Sequence, residues 1–140
     1  MFDTTALRAE VDGRASPRIF IGGDDHVGFT VHNVGRDIAQ LAIDMSYGDR
    51  WPDHHDIGMG SSANCQVDAA ITGFDCGPLK SGETISVILR AFPEDVGTFH
   101  FGARFFDRAA HGLEEIRDPQ GGALLVTFDE EVVPISGQIH

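Results

Sequence analysis

Four consecutive residues, Asp53, His54, His55 and Asp56, form the densest group of side chains in this sequence that could do chemistry. Imidazole and carboxylate groups are common protein ligands of zinc and other divalent metals. Adjacent residues of an extended chain point to opposite sides, so both histidines would reach one ion only where the chain bends. The group therefore indicates either a small metal site or an exposed polar loop, which the neighbouring Trp51 would anchor on the rest of the protein.

Calcium is a second metal that the carboxylates suggest. It takes about six to eight oxygen ligands, which carboxylates clustered on loops can supply. No segment has the alternating acidic pattern of an EF-hand loop, and in a chain with 22 acidic residues carboxylates also meet by chance. We expect no cofactor, with calcium or zinc as the alternative. The carboxylates expected on loops or after strands are Asp24, Asp25, Asp49, Asp53, Asp56, Asp129, Glu130 and Glu131.

The two cysteines, Cys65 and Cys76, enclose two short apolar stretches around Thr72 and Gly73, which is the spacing of a β-hairpin. Across an antiparallel pair such cysteines come within bridging distance, and a disulfide that closes a loop of this size contributes about 3 kcal/mol. We expect this disulfide, which is typical of proteins in oxidising compartments. The alternative is two buried thiols, as in a cytosolic protein. Zinc binding by this cysteine pair is not expected, because no further cysteine stands at ligand spacing.

Nucleophilic catalysis has little support in the sequence. Ser61 and Ser62 follow Gly60 without the G-x-S-x-G pattern of a nucleophile elbow and without its strand-to-helix setting. Cys76 would be a nucleophile only as a free, activated thiolate, and no nearby basic pair is evident in the sequence. We therefore expect a protein that is not an enzyme.

Several of the apolar residues fall at positions where alternation predicts the solvent-facing side of a strand. Ile88, Phe92 and Phe106 are of this kind. Together with Trp51 they are candidates for an exposed patch that binds a partner protein. The alternative is that strand twist or the segment 109–116 covers them.

The elements that must position these residues are β-strands, because apolar side chains recur with a period of two. Glycine, proline and asparagine turns separate the strands, and Asn33-Val34-Gly35 is expected to close a first long hairpin. About seven short antiparallel strands predict an all-β fold, an immunoglobulin-like β-sandwich. The alternation is clear in residues 27–31, 41–47, 85–91, 99–105 and 124–128.

Two segments do not follow this pattern. Residues 48–64 form the longest irregular stretch, so we expect a loop there and consider it the most plausible place for function. Residues 109–116 are expected to form a short helix, which Gly112 weakens.

Length and charge limit the function further. A chain of 140 residues with 41% hydrophobic residues predicts a single domain, residues 1–140. Its net charge of −12 argues against binding to nucleic acids or anionic membranes, both of which need clustered Lys and Arg. No apolar run is long enough to span a bilayer, and the first residues lack the features of a signal peptide. The sequence is thus that of a cytoplasmic protein or of a mature domain cut from a longer chain.

Turn motifs recur along most of the chain: 30–35 (Thr-Val-His-Asn-Val-Gly), the cysteine pair followed by 77–83 (Gly-Pro-Leu-Lys-Ser-Gly-Glu), 93–97 and 118–122. They resemble those of bacterial immunoglobulin-like surface repeats, the CARDB-like and "conserved repeat" modules. The last motif departs from the family pattern, because glycines stand where asparagines are usual. The resemblance implies a sandwich fold and a place on a secreted or cell-surface protein, and it says nothing of catalysis.

The leading hypothesis is a non-catalytic immunoglobulin-like module that mediates protein–protein or surface contact, extracellular or at the cell surface. One alternative is a small divalent-metal-binding domain that uses the segment 53–56. Another is a cytoplasmic adaptor or assembly subunit in which both cysteines are reduced.

Overall fold

The computed structural model describes residues 5–11, 18–23, 25–48, 51–59, 65–68, 73–108 and 114–135. Strand is the main secondary structure, as the period of two predicts, and the 3-10 helix η1 is a single short turn. No helix among the described residues has the length and apolarity that a membrane crossing requires. The elements are β1 Leu7–Val11, β2 Arg18–Phe20, β3 Asp25–Asn33, β4 Ile38–Gly48, η1 Trp51–His54, β5 His55–Met59, β6 Gln66–Asp68, β7 Gly73–Leu79, β8 Thr84–Pro93, β9 Gly97–Asp107, β10 Glu114–Glu115 and β11 Val126–Val133.

The described strands form two sheets. The first has the order β1-β3-β8-β5, and the second has the order β2-β11-β9-β4-β7-β6, with β10 paired to β9. Neighbouring strands are antiparallel except β2, which runs parallel to β11. The predicted all-β sandwich with an immunoglobulin-like fold is confirmed.

The core lies between the inward faces of the two sheets. Alternation along β3 buries Val27, Phe29 and Val31, and β9 faces it from the other sheet with Phe101 and Phe105. The Phe29 ring meets Phe105 edge-on at 6.2 Å between centroids and lies 6.5 Å from Phe101, so these rings join the sheets. Truncation of such a ring costs about 3–5 kcal/mol.

The turn at residues 33–35 is not a hairpin turn, contrary to the prediction. It connects β3 of the first sheet to β4 of the second. Asn33 is buried, and its side chain donates to the carbonyls of Leu79 and Arg36 while it accepts the N–H of Gly35. The side chain thereby satisfies backbone groups that a change of sheet would leave without partners. Alternation reveals the buried face of a strand but not its sheet.

A bulge in β4 changes the side to which Tyr47 points. The sequence places Tyr47 on the same face as Met45, but the pairing with β9 shifts between Asp44 and Tyr47. One extra residue in β4 reverses the alternation beyond it. Tyr47 consequently lies under the guanidinium of Arg104, 4.6 Å from its ring centroid, on the outer side of the second sheet.

Both segments that were expected to be irregular or helical contain strands. Within residues 48–64 the chain forms η1 and β5, and β5 pairs with β8 as the last strand of the first sheet. Within residues 109–116, Glu114 and Glu115 pair with β9, while residues 109–113 lie outside the described part. The expected helix is therefore wrong where the structure can be compared with it.

The cysteine hairpin forms as its spacing predicts. Strand β6 pairs with β7, and a disulfide joins Cys65 to Cys76. The turn expected near Thr72 lies outside the described residues. Gly73 begins β7, and a Cβ atom there would lie 1.7 Å from the carbonyl oxygen of Ile43, so only glycine allows β7 to approach β4 this closely.

Candidate functional site

The predicted metal-binding segment spans the junction between η1 and β5. Asp53 and His54 end the 3-10 helix, and His55 and Asp56 begin the strand. In the register with β8, His55 lies opposite Pro93 and Asp56 opposite Phe92. Since alternate residues of a strand face opposite sides, His55 enters the core and Asp56 remains exposed.

His55 forms a buried pair with a carboxylate of the other sheet. Its Nε2 atom lies 2.6 Å from Oε1 of Glu130, and both side chains are 0% exposed. Glu130 stands beside Phe99 in the register of β11 with β9, so both point inward. The Phe99 ring meets the His55 ring edge-on at 5.9 Å. The pair thus joins the edge strand β5 of the first sheet to β11, the strand next to the edge of the second.

His54 forms a second pair at the surface. Its Nδ1 atom lies 2.8 Å from Oδ2 of Asp95, and the two side chains are 34% and 57% exposed. The His54 ring stacks on Phe99 at 4.4 Å, and its backbone carbonyl accepts the N–H of Glu94 at 2.9 Å. These contacts hold η1 against the turn between β8 and β9.

The two adjacent histidines therefore serve different carboxylates. Among the described residues, no group of three or more His, Cys, Asp or Glu side chains is placed to hold a metal ion. Glu130, expected after a strand as a calcium ligand, lies within β11 and in the core. Asp24 and Asp49 lie outside the described residues. Metal binding by residues 53–56 stays a prediction.

The residues predicted to form one partner-binding patch do not share a face. Ile88 and Phe92 point outward from β8 in the first sheet, where the Arg90 guanidinium lies 5.5 Å from the Phe92 ring. Phe106 points outward from β9 in the second sheet, on the opposite side of the sandwich. All three are half-buried. Trp51 opens η1, and its side chain lies outside the described residues.

A different apolar surface is found at one end of the second sheet, and we call it the apolar corner: Phe20, Val96 and Val133. Phe20 pairs with Val133 across β2 and β11. Val96 immediately precedes Gly97, which pairs with Val132, so Val96 stands beside Val133. Of the four large apolar side chains that are exposed in the described part, two are here: Phe20 (51%) and Val96 (54%).

The corner has an acidic border. Glu94 and Asp95 lie in the turn that leads to Val96, and both are exposed. On β11, Glu131 and Asp129 point to the same side as Val133. Arg18 lies 3.5 Å from Glu131. His54 pairs with Asp95, and His100 pairs with Asp129. Among the described residues, carboxylates outnumber arginine and lysine side chains around the apolar surface.

The apolar corner was not identified from the sequence. A signal does exist, because the runs Ile19-Phe20-Ile21 and Val132-Val133 are apolar at consecutive positions where one sheet face is normally polar. Pairing across β2 and β11 was needed to bring these runs together, and nothing in the local sequence predicts a parallel pair between strands this far apart.

Comparison with known proteins identifies the fold. No protein-family model matches the chain, and no curated protein matches it either. The crystal structure of the CARDB domain of the PF1109 protein from Pyrococcus furiosus, in complex with di-metal ions, is 15% identical with a TM-score of 0.57 and covers 95% of this chain and 92% of that chain. Its solution structure is 13% identical with a TM-score of 0.58 and covers 95% and 98%.

A PapD-like domain of human CEP192 is also similar, with 10% identity, a TM-score of 0.50 and coverage of 95% of this chain and 89% of that one. Identities this low show a common fold and no more. The chain therefore has the immunoglobulin-like sandwich fold that the CARDB domain also has.

Proposed function

We propose that this chain is a non-catalytic immunoglobulin-like module of a bacterial secreted or cell-surface protein, and that it acts by contact with another protein. The observation that carries the proposal is the apolar corner. Apolar side chains scattered singly over a surface need no explanation, whereas adjacent ones with a polar border are typical of interaction sites. Phe20 and Val96, which lie on either side of Val133, are of the second kind.

The disulfide supports the extracellular part of the proposal. Disulfides persist in oxidising compartments and are rare in the cytosol. The measurement is the mass of the native protein after alkylation, with and without prior reduction. We expect alkylation of Cys65 and Cys76 only after reduction. Free thiols in protein made in an oxidising compartment would favour the cytoplasmic adaptor instead.

Peptide-library panning tests the contact function. Folded protein is immobilised and panned with a random peptide display library, and the enriched peptides are measured against a variant that carries Phe20→Ser and Val96→Ser. The control is Leu125→Ser, because Leu125 is 42% exposed but precedes β11, at the other end of that strand. We expect peptides that bind the wild type and the control but not the corner variant. Enriched peptides that bind all three proteins equally would refute the proposal.

Metal binding is the second candidate function, and the His54–Asp95 pair is the observation that favours it. A carboxylate that holds one ring nitrogen of a histidine orients the other, as in many metal sites. The CARDB domain described above was crystallised with di-metal ions. The test is a thermal melt in EDTA followed by zinc or calcium, since an ion that binds the native state raises the midpoint. An unchanged midpoint with both ions would exclude this candidate.

A further inference from the structure

The apolar corner lies at the edge of a sheet, and this position defines what can bind there. Strand β2 ends the strand order of the second sheet, and no described strand lies on its far side. The N–H of Ile21 donates to the carbonyl of Val133 at 2.9 Å. Alternate residues of a strand direct their backbone groups to opposite sides, so the N–H of Phe20 and both backbone groups of Arg18 point away from β11. Exposed edge groups of this kind can pair with an added strand.

The side chains of the apolar corner also favour an added strand beside β2. Val96, Val133 and Phe20 form a row across the outer face of the sheet, one residue from each of three neighbouring chain segments. A strand added beside β2 would place its own side chain next to Phe20 and continue this row, because cross-strand neighbours on one face lie in contact. An apolar side chain at that position would cover the exposed part of Phe20.

The charge around the corner selects the partner. Glu94, Asp95, Asp129 and Glu131 border it, and Arg18 is already beside Glu131. A second copy of this chain would bring another net charge of −12 to an acidic surface, which disfavours self-association. A segment with lysine or arginine beside its apolar residues would instead be attracted.

We propose that the edge of β2 binds an extended segment of a partner protein, with alternating apolar side chains and flanking lysine or arginine, as an added strand of the second sheet. The proposal rests on the contact function proposed above and specifies its surface and the chemistry of its partner. Backbone hydrogen bonds along β2 would supply the pairing, and Phe20 would select an apolar residue, as in other cases of strand addition.

The test uses a synthetic peptide of about eight residues that alternates valine and threonine and has lysine at both ends. Binding to the full chain is measured by fluorescence anisotropy at low salt. Two control peptides are matched to it. One has glutamate at both ends, and the other is methylated at alternate backbone nitrogens, which removes the hydrogen bonds of an added strand while keeping the side chains.

We expect the lysine peptide to bind about tenfold or more tightly than either control, and its affinity to fall as salt rises. Phe20→Ser should reduce the affinity by a similar factor, and Leu125→Ser should leave it unchanged. Phe20 is 51% exposed and Leu125 is 42% exposed, so both variants should stay folded, which a thermal melt checks. Val96→Thr is a second variant in the corner, and it keeps the branched shape of the side chain.

Four results would overturn the proposal. Equal binding of the methylated peptide would exclude strand addition, and equal binding of the glutamate peptide would exclude the charge argument. A dimer in sedimentation that Phe20→Ser abolishes, without peptide binding, would make a second copy the occupant. Failure of the designed peptide while panning still enriches corner-dependent peptides would refute this inference alone and leave the contact function intact.

Discussion

His54 and His55 are neighbours in the chain, and each pairs with a carboxylate, but their surroundings differ completely. The His55–Glu130 pair is inaccessible to solvent and joins the two sheets. The His54–Asp95 pair lies at the surface and joins a 3-10 helix to a turn. The Phe99 ring contacts both histidine rings: it stacks on His54 and meets His55 edge-on. The same residue types can thus be part of the core or part of the surface, and the strand register decides which.

Of the three substitutions, removal of Glu130 should cause the largest loss in the free energy of unfolding. Glu130→Ala leaves His55 buried without this carboxylate, and we expect a loss of about 3–5 kcal/mol in the free energy of unfolding, measured by denaturant titration. The double variant His55→Leu with Glu130→Leu replaces the pair by apolar groups and should recover most of the loss. A single variant within about 1 kcal/mol of the wild type would contradict the structural role of the pair.

Substitution of Phe99 should disturb both histidine–carboxylate pairs, with a smaller loss of stability than removal of Glu130. Phe99→Leu keeps an apolar side chain but removes two ring contacts, each worth about 0.5–1.5 kcal/mol. We expect a loss of about 1–3 kcal/mol, together with a change in the proton chemical shifts of the His54 ring, which the stacked ring influences. Phe106→Leu, on the outer side of the same strand, is the matched control and should leave the His54 shifts unchanged. Unchanged shifts in Phe99→Leu would show that the stacking is absent.

Removal of Asp95 should cause the smallest loss in the free energy of unfolding. Asp95→Ala breaks an exposed pair, and such pairs contribute less than about 1 kcal/mol, because water and salt screen them. The loss should shrink further at high salt, whereas the loss in Glu130→Ala should be nearly independent of salt. The measurement is the same denaturant titration at low and high salt. Equal losses in the two variants would remove the distinction between the pairs.

The sequence predicts the fold well where alternation is regular. Val27, Phe29 and Val31 of β3 and Phe101, Ala103 and Phe105 of β9 are buried as their spacing indicates. Two of the buried positions that it does not predict are polar. His55 and Glu130 occupy inward positions of β5 and β11, but a polar residue at an inward position resembles the end of a strand until its partner is known. For this reason the sequence predicts a loop where β5 forms.

The sequence also does not predict which strands pair with each other or share a sheet. The alternation of β8 and β9 correctly separates inward from outward residues, yet it does not tell that these consecutive strands belong to different sheets. The alternation therefore predicts one patch that contains Ile88 and Phe106, although they lie on opposite outer faces. The apolar corner was missed for the same reason, since it depends on the pairing of β2 with β11. Local sequence patterns show whether a side chain points inward or outward, whereas the strand pairing determines which outward side chains lie together on one surface.

The disulfide between Cys65 and Cys76 also has a consequence for proteolysis. The bond connects residues that are 11 positions apart, so a protease that cuts the chain anywhere between them leaves both fragments covalently joined. Such nicked protein would migrate as an intact chain on a denaturing gel until a reductant separates the pieces. A secreted module with this bond would keep its two halves together after a cleavage that would otherwise release them.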